Sequence, residues 1–153
     1  MSRLELRVPP DVVWIAVAAL MWLVSTVTPG LAIPGLVRSA LAAPLFAAGI
    51  ALIVAARVAL DRAHTTWLPS TPERTNTLVT SGVFGYSRNP TYLGMWLVLV
   101  GWSVMLADPA ALALTELFVL YMDRVQVVPE ERVLTELIGD KYRDYTRRVR
   151  RWL

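Results

Sequence analysis

The chain has 153 residues, 56% of them hydrophobic, and a net charge of +3. Its mean hydropathy of +0.50 is well above that of an ordinary soluble domain of this length. Cysteine is absent and His64 is the only histidine, which excludes disulfides, thiolate or multi-histidine metal sites and a cysteine nucleophile.

Charge is confined to blocks. Val12 to Pro29, Ser39 to Ala56 and Asn89 to Ala107 carry none, and three uncharged runs near the ~20 residues that cross a bilayer predict a membrane protein. Met1 to Pro10 is a short polar lead with Arg3, Glu5 and Arg7, and Asp11 is placed to cap a first helix over about Val12 to Val27. Trp14 and Trp22 read as interfacial aromatics near its ends. A cleaved signal would also put basic residues before an apolar run, but no small-x-small cleavage site follows this one. Pro29, Gly30, Pro34 and Gly35 make a turn. The alanine-rich second helix, about Ala40 to Leu60, has the small residues that let helices approach closely in lipid. Pro44 either kinks it or marks its start.

Asp61 to Ser87 is the longest polar connection and holds Arg62, His64, Glu73, Arg74 and the X-Pro turns at Pro69 and Pro72. A loop of that length reads as functional, and LVTSGVFGY within it is compatible with a brief extended segment. From Thr80 to Gly94 the chain reads TSGVFGYSRNPTYLG, a shaped loop at the entrance of a third helix, about Asn89 to Ala107. Pro90 suits the first helical turn. Free backbone N–H groups and Arg88 therefore gather at one helix end, which favours negative groups. Asp108-Pro109 makes a tight turn, and a fourth helix runs from Pro109 to about Met122 and on through Asp123 and Arg124.

The remainder is an amphipathic charged tail ending KYRDYTRRVRRWL, which with Arg124 and Arg132 holds eight of the fifteen basic residues. With four crossings, the lead, the long loop and the tail share one side. That side carries nearly all the Lys and Arg, so the positive-inside rule predicts that both termini and the loop are cytoplasmic, with Arg38 the one dissenter. Anionic lipid and topology account for the basic surplus without nucleic acid.

Four constellations carry chemical potential. The first is the loop and helix start, with Arg88, Asn89, Pro90, Tyr92 and Gly94; an ordinary helix entry is its plain structural alternative. The second is Glu130-Glu131 after Pro129, where two carboxylates suit a helix dipole and also suit a ribose or a cationic ligand. Tyr142, Tyr145 and Arg148 form the third, at spacings that share a helical face or serve an interfacial helix. Glu116 is the fourth, because a carboxylate within a membrane helix is expensive and marks a buried partner or a site. No Walker loop, GxGxxG after a strand, GxSxG or HExxH occurs, so a Rossmann-type methyltransferase is excluded.

Two segments of the second half resemble signatures of the small integral-membrane methyltransferases, which include isoprenylcysteine carboxyl methyltransferases and phospholipid N-methyltransferases. LVTSGVFGYSRNPTYLG, Leu78 to Gly94, is similar to the family run LVTxGxYxxxRHPxYxG. EERVLTELIGDKYRDYTRRVRRW, Glu130 to Trp152, is similar to EExxLxxxFGxxYxxYxxxVxRW. With the uncharged runs and the basic blocks, the expected fold is all-α and polytopic, with about four transmembrane helices and a cytoplasmic amphipathic C-terminal tail. The resemblance implies one domain over residues 1–153, of which 78–153 is the cofactor-binding half.

The resemblance also implies S-adenosyl-L-methionine as methyl donor and a lipid or lipidated acceptor in the membrane. Arg88, Pro90, Tyr92, Gly94, Glu130, Glu131, Tyr142, Tyr145 and Arg148 would then hold the cofactor, with Arg88, Asn89, Glu130 and Glu131 at the chemistry. Asn89 stands where the family's usual histidine does, so any role for an imidazole does not transfer; Phe84 and Ile138 are milder departures. An isoprenylcysteine-type carboxylate is the leading acceptor and a phosphatidylethanolamine-type amine the alternative. A sterol-reductase-like oxidoreductase is disfavoured by the short chain, and a non-catalytic adaptor has only Asn89 in its favour. Oligomeric state has no signature in the sequence.

Overall fold

A computed structural model describes residues 8–65 and 78–153. Arg3, Glu5 and Arg7 of the lead, and Pro69, Pro72, Glu73 and Arg74 of the long loop, lie outside the described residues. The fold is all-helical, and the described residues contain no strand. In chain order they form α1 (Pro10–Ser25), α2 (Gly35–Arg62), a single 3₁₀ turn (Gly82–Gly85), α3 (Pro90–Leu106), α4 (Pro109–Tyr121), a π-helical stretch (Met122–Val127), α5 (Val128–Ile138) and α6 (Asp140–Arg148).

Proline sets most helix starts. Pro9 precedes α1 with Pro10 in its first turn, so Asp11 is a first-turn acid rather than the cap. Pro34 precedes α2, which begins earlier than the alanine pattern predicts and carries Pro44 inside it. Asp108 accepts a hydrogen bond from the Ala111 N–H at 2.9 Å and caps α4. The predicted extended segment is the 3₁₀ turn instead, entered through Gly82 at φ +61.

α4, the π stretch and α5 run as one helical rod from Pro109 to Ile138, because the residues at both junctions are right-handed helical. The rod thus extends well past the predicted end of the fourth helix. A proline ring clashes with the carbonyl four residues back and offers no N–H; the π turns immediately before Pro129 widen the spiral where that clash falls. Gly139, at φ +65 and ψ −131, occupies a region open essentially to glycine, and there the chain breaks from α5 into α6.

α2 spans 28 residues and is the one helix among the described residues long and apolar enough by itself to cross a membrane, while α1 and α3 are shorter apolar helices. α2 and α3 pack most extensively, through two facing glycines. A Cβ on Gly49 would stand 2.7 Å from the Gly94 carbonyl oxygen, and one on Gly94 would stand 2.6 Å from that of Gly49. α1 lies against α3 and α4 around Met21, Tyr92, Leu99, Ala111, Phe118, Met122 and Val127. Two indoles stitch it to α3, Trp14 donating to the Met95 carbonyl at 3.0 Å and Trp102 to that of Ala18 at 3.1 Å. Trp14 therefore points inward, whereas Trp22 is 54% exposed.

The two ends of the bundle differ as the charge pattern predicts. At one end the α1–α2 turn meets the α3–α4 turn: Leu31 N–H donates to the Ala107 carbonyl at 2.7 Å, and the Thr28 hydroxyl bonds Asp108. Arg38, the dissenting cation, donates there to the carbonyls of Ile33 and Met105 at 2.9 and 3.2 Å. It thus satisfies carbonyls of the turn and of the last turn of α3. Glu116 is exposed on α4, so the expected buried partner is not there.

Gly94→Ala is expected to lower stability by about 1–3 kcal/mol, because both backbones must move apart to admit one carbon. Gly35→Ala, with nothing within 4 Å, is the control and should be near neutral. Thermal unfolding of the two variants in detergent measures the difference.

Candidate active site

At the other end of the bundle most of the residues singled out in the sequence come together. Arg88 and Asn89 lie on the loop before α3, Pro90, Tyr92 and Gly94 in its first turns, Glu130 and Glu131 in the first turn of α5, and Tyr142 and Tyr145 on α6. α3 and the rod are joined by a tight turn at their far end, so their near ends face each other across the bundle.

Neighbouring glutamates point to different surroundings, since successive helical residues project about 100° apart. Glu131 is shared by two arginines. Arg88 Nη1 lies 3.1 Å from its Oε1. Arg151 grips both oxygens, Nε to Oε1 at 3.1 Å and Nη2 to Oε2 at 2.7 Å, and uses Nη1 on Asp123 at 3.0 Å. The side chains of Arg88 and Glu131 are 12% and 17% exposed, a setting in which charges need partners. The Glu131 bond in turn raises the Arg151 pKa, holding it firmly charged.

Glu130 faces a tyrosine instead. The Tyr92 hydroxyl donates to its Oε2 across 3.4 Å, a long bond. Burial pushes the Glu130 carboxyl up to about 7, the charge of Glu131 adds to that, and the Tyr92 bond works against it.

The tail closes over the loop through both side chains and backbone. Arg88 N–H donates to the Arg150 carbonyl at 3.0 Å, Asn89 Nδ2 donates to the Arg151 carbonyl at 2.9 Å, and the Tyr145 hydroxyl donates to the Phe84 carbonyl at 2.7 Å. Asn89 therefore acts here as a donor, something an amide does without titrating. Tyr142 and Tyr145 are buried with ring centroids 6.1 Å apart, packed with Val149, Leu78, Leu134 and Ile138. Burial raises both phenols, Tyr145 to about 12, and the charges of Glu131, Arg88 and Glu130 all reach Tyr142.

Other predicted residues sit apart. Arg148 is exposed and donates to the Asp144 carbonyl at 3.3 Å. Gly94 is occupied by the α2 contact. Asp123 and Gln126 are residues that sequence reasoning passed over, and Arg151, a fixed letter of the second signature, was given no role there. Gln126 is 1% exposed and donates to the Val8 carbonyl at 2.6 Å, tying the start of the described chain to the π stretch. A polar side chain in the turn before Pro129 was the available signal.

Two further features adjoin the cluster. The Arg88 Nε is buried without a hydrogen-bond partner. Beside the cluster, an apolar groove of about 320 Å³ is lined by Leu52, Val83, Tyr86, Leu93, Leu97 and Leu153, with Ser87 between it and the arginines.

The chain is similar to known proteins over part of its length. The phospholipid methyltransferase family model matches residues 37–141. Protein-S-isoprenylcysteine O-methyltransferase from Mus musculus is 39% identical over 75 residues, 49% of this chain and 26% of that protein. The protein of that name from Saccharomyces cerevisiae is 35% identical over 80 residues, 50% of this chain and 32% of its own. An uncharacterized protein from Haemophilus influenzae is 37% identical over 62 residues, 40% of this chain and 98% of its own. The chain thus aligns with about a quarter to a third of the isoprenylcysteine enzymes' length. No solved structure matches.

The raised Glu130 makes stability depend on pH. A carboxyl whose folded pKa lies above its unfolded value favours the fold below the unfolded pKa, near 4.5, and loses that contribution as pH rises through about 7. Unfolding of Glu130→Gln followed from pH 5 to 8 should show a flatter dependence than wild type and greater stability at the alkaline end.

Proposed function

Because the chain belongs to the phospholipid methyltransferase family, we propose that it is a membrane enzyme that methylates a lipophilic acceptor at the site described, using S-adenosylmethionine. The observation that carries the reading is the convergence of Arg88 and Tyr92 with Glu130, Glu131 and the tail tyrosines beside an apolar groove. In this reading α1 to α4 all cross the bilayer, the shorter helices reaching between its interfaces. The site and both termini face the cytoplasm, where the basic residues concentrate.

The residues suit the donor's chemistry. A sulfonium is a permanent cation favoured by aromatic faces and carboxylates, and Glu130 with the tyrosines offers both. The buried, unpartnered Arg88 Nε is a donor for the methionine carboxylate. When bound, S-adenosylmethionine supplies a methyl carbon already activated by positive sulfur. The protein then contributes alignment and a dry site, which in well-oriented systems is worth ~7–11 kcal/mol. Tail and loop exclude water, and the groove seats the acceptor's hydrocarbon next to Ser87 and the arginine cluster.

An isoprenylcysteine-type carboxylate is the acceptor favoured by the relatives' names; it needs no base. Glu130, whose carboxyl burial pushes up to about 7, repels such an acceptor less than a fully ionised carboxylate would. A phospholipid amine is the second reading, favoured by that same group: ionised Glu130 can take the amine's proton, whereas Glu131 is occupied by two arginines.

Lipid extracts incubated with radiolabelled donor and purified protein should yield label in one lipid class; absence of donor binding by calorimetry defeats the reading. Glu131→Gln should weaken donor binding, because the arginine cluster opens. Glu130→Gln separates the acceptors: methylation of an amine should fall about 10²-fold or more, and that of a carboxylate far less.

A further inference from the structure

Arg151, the arginine before the closing tryptophan of the second signature, is joined to the site through both its side chain and its carbonyl. Its guanidinium uses three nitrogens, two on Glu131 and one on Asp123. Its carbonyl receives Asn89 Nδ2 at 2.9 Å and the Ser87 hydroxyl at 3.4 Å. One residue earlier, the Arg150 carbonyl receives the Arg88 N–H. Residues 150 and 151 therefore hold the backbone of Arg88, the side chain of Asn89 and the carboxylate to which Arg88 is paired.

A planar fork on both oxygens of a carboxylate sets its plane as well as its position. With Glu131 so oriented, Arg88 Nη1 meets Oε1 at 3.1 Å and its Nε is left buried without a partner. The vacancy at Arg88 Nε is thus determined from the far end of the chain. Glu130, next to a carboxylate already balanced by two guanidinium groups, accepts from the Tyr92 hydroxyl.

We propose that Arg151 is a positioning residue of this site: its guanidinium, laid across Glu131 and tied to Asp123, straps the C-terminal segment over the loop and aims Arg88 at the ligand. The proposal rests on the methyl-transfer reading for the ligand's identity, though the strap itself is independent of it. Several charged and titratable groups surround Glu130. Tyr92 comes from α3 with Asp11 of α1 behind it, Tyr142 comes from α6, and Glu131 carries with it Arg88, Arg151 and, through Arg151, Asp123. Removing the Arg151 charge leaves Glu131 less balanced, so Glu130 must titrate at higher pH.

Two measurements on the full chain in detergent test this. Carboxyl ¹³C NMR of glutamate-labelled protein without ligand follows Glu130, assigned with Glu130→Gln. Calorimetry measures binding of S-adenosylhomocysteine. Arg151→Gln should move the Glu130 midpoint upward and weaken binding about 10- to 100-fold, the scale of a displaced binding group. Arg151→Lys, which keeps charge but lacks the fork, should leave the midpoint nearer wild type yet still weaken binding. Arg147→Gln, an exposed residue paired with Asp144, should change neither.

Unaltered titration and affinity in Arg151→Gln, with only a lower unfolding temperature, would overturn the proposal. Full affinity in Arg151→Lys would overturn the role of the fork. If Arg151→Gln does not fold, Arg151→Lys and Asp123→Asn decide by the same criteria. If wild type binds no donor analogue, the methyl-transfer reading fails while the Glu130 midpoint still supports or overturns the strap.

Discussion

A single carboxylate shared by two guanidinium groups organises the polar end of this bundle. Glu131 lies between Arg88, from the loop before α3, and Arg151, from the segment after α6. Most of each partner's surface is buried, and a charge in that setting is stable only while its counter-charges are in place. The pairing therefore fixes three segments at once, and the backbone bonds from Arg88 and Asn89 to residues 150 and 151 follow from it. A tail that would otherwise lie free on a surface becomes one wall of a site.

The same pairing divides the work of two adjacent glutamates. Turned about 100° from its neighbour, Glu130 escapes the arginines and faces Tyr92, where burial holds its carboxyl near the protonation midpoint at neutral pH. The two carboxylates are thus given different surroundings by helix geometry and the placement of two cations. The π stretch before Pro129 contributes to that geometry, because one extra residue in a turn re-aims every side chain after it.

Away from the charges, the bundle relies on close approach. Gly49 and Gly94 bring α2 and α3 into backbone contact, and the indoles of Trp14 and Trp102 donate to carbonyls of neighbouring helices. This packing sets the position of the α3 entrance, and with it Tyr92, to which the rod brings Glu130.

Much of this was legible along the chain. Uncharged runs marked three of the helices, proline and glycine marked their ends, and two separated signatures marked the residues that meet at the site, because these signals are local: each depends on a few neighbours and on helical periodicity. The helical class and the candidate residues Arg88, Tyr92, Glu130, Glu131, Tyr142 and Tyr145 could therefore be read along the chain. Only the tertiary structure decided that Arg151 completes the cluster, that Asn89 ties down the tail, that Gly94 serves packing, that Trp14 turns inward, and that Arg148 and Glu116 stay at the surface. Those outcomes depend on which helix face meets which neighbour across tens of residues, and that pairing is set by three-dimensional packing rather than by any spacing along the chain.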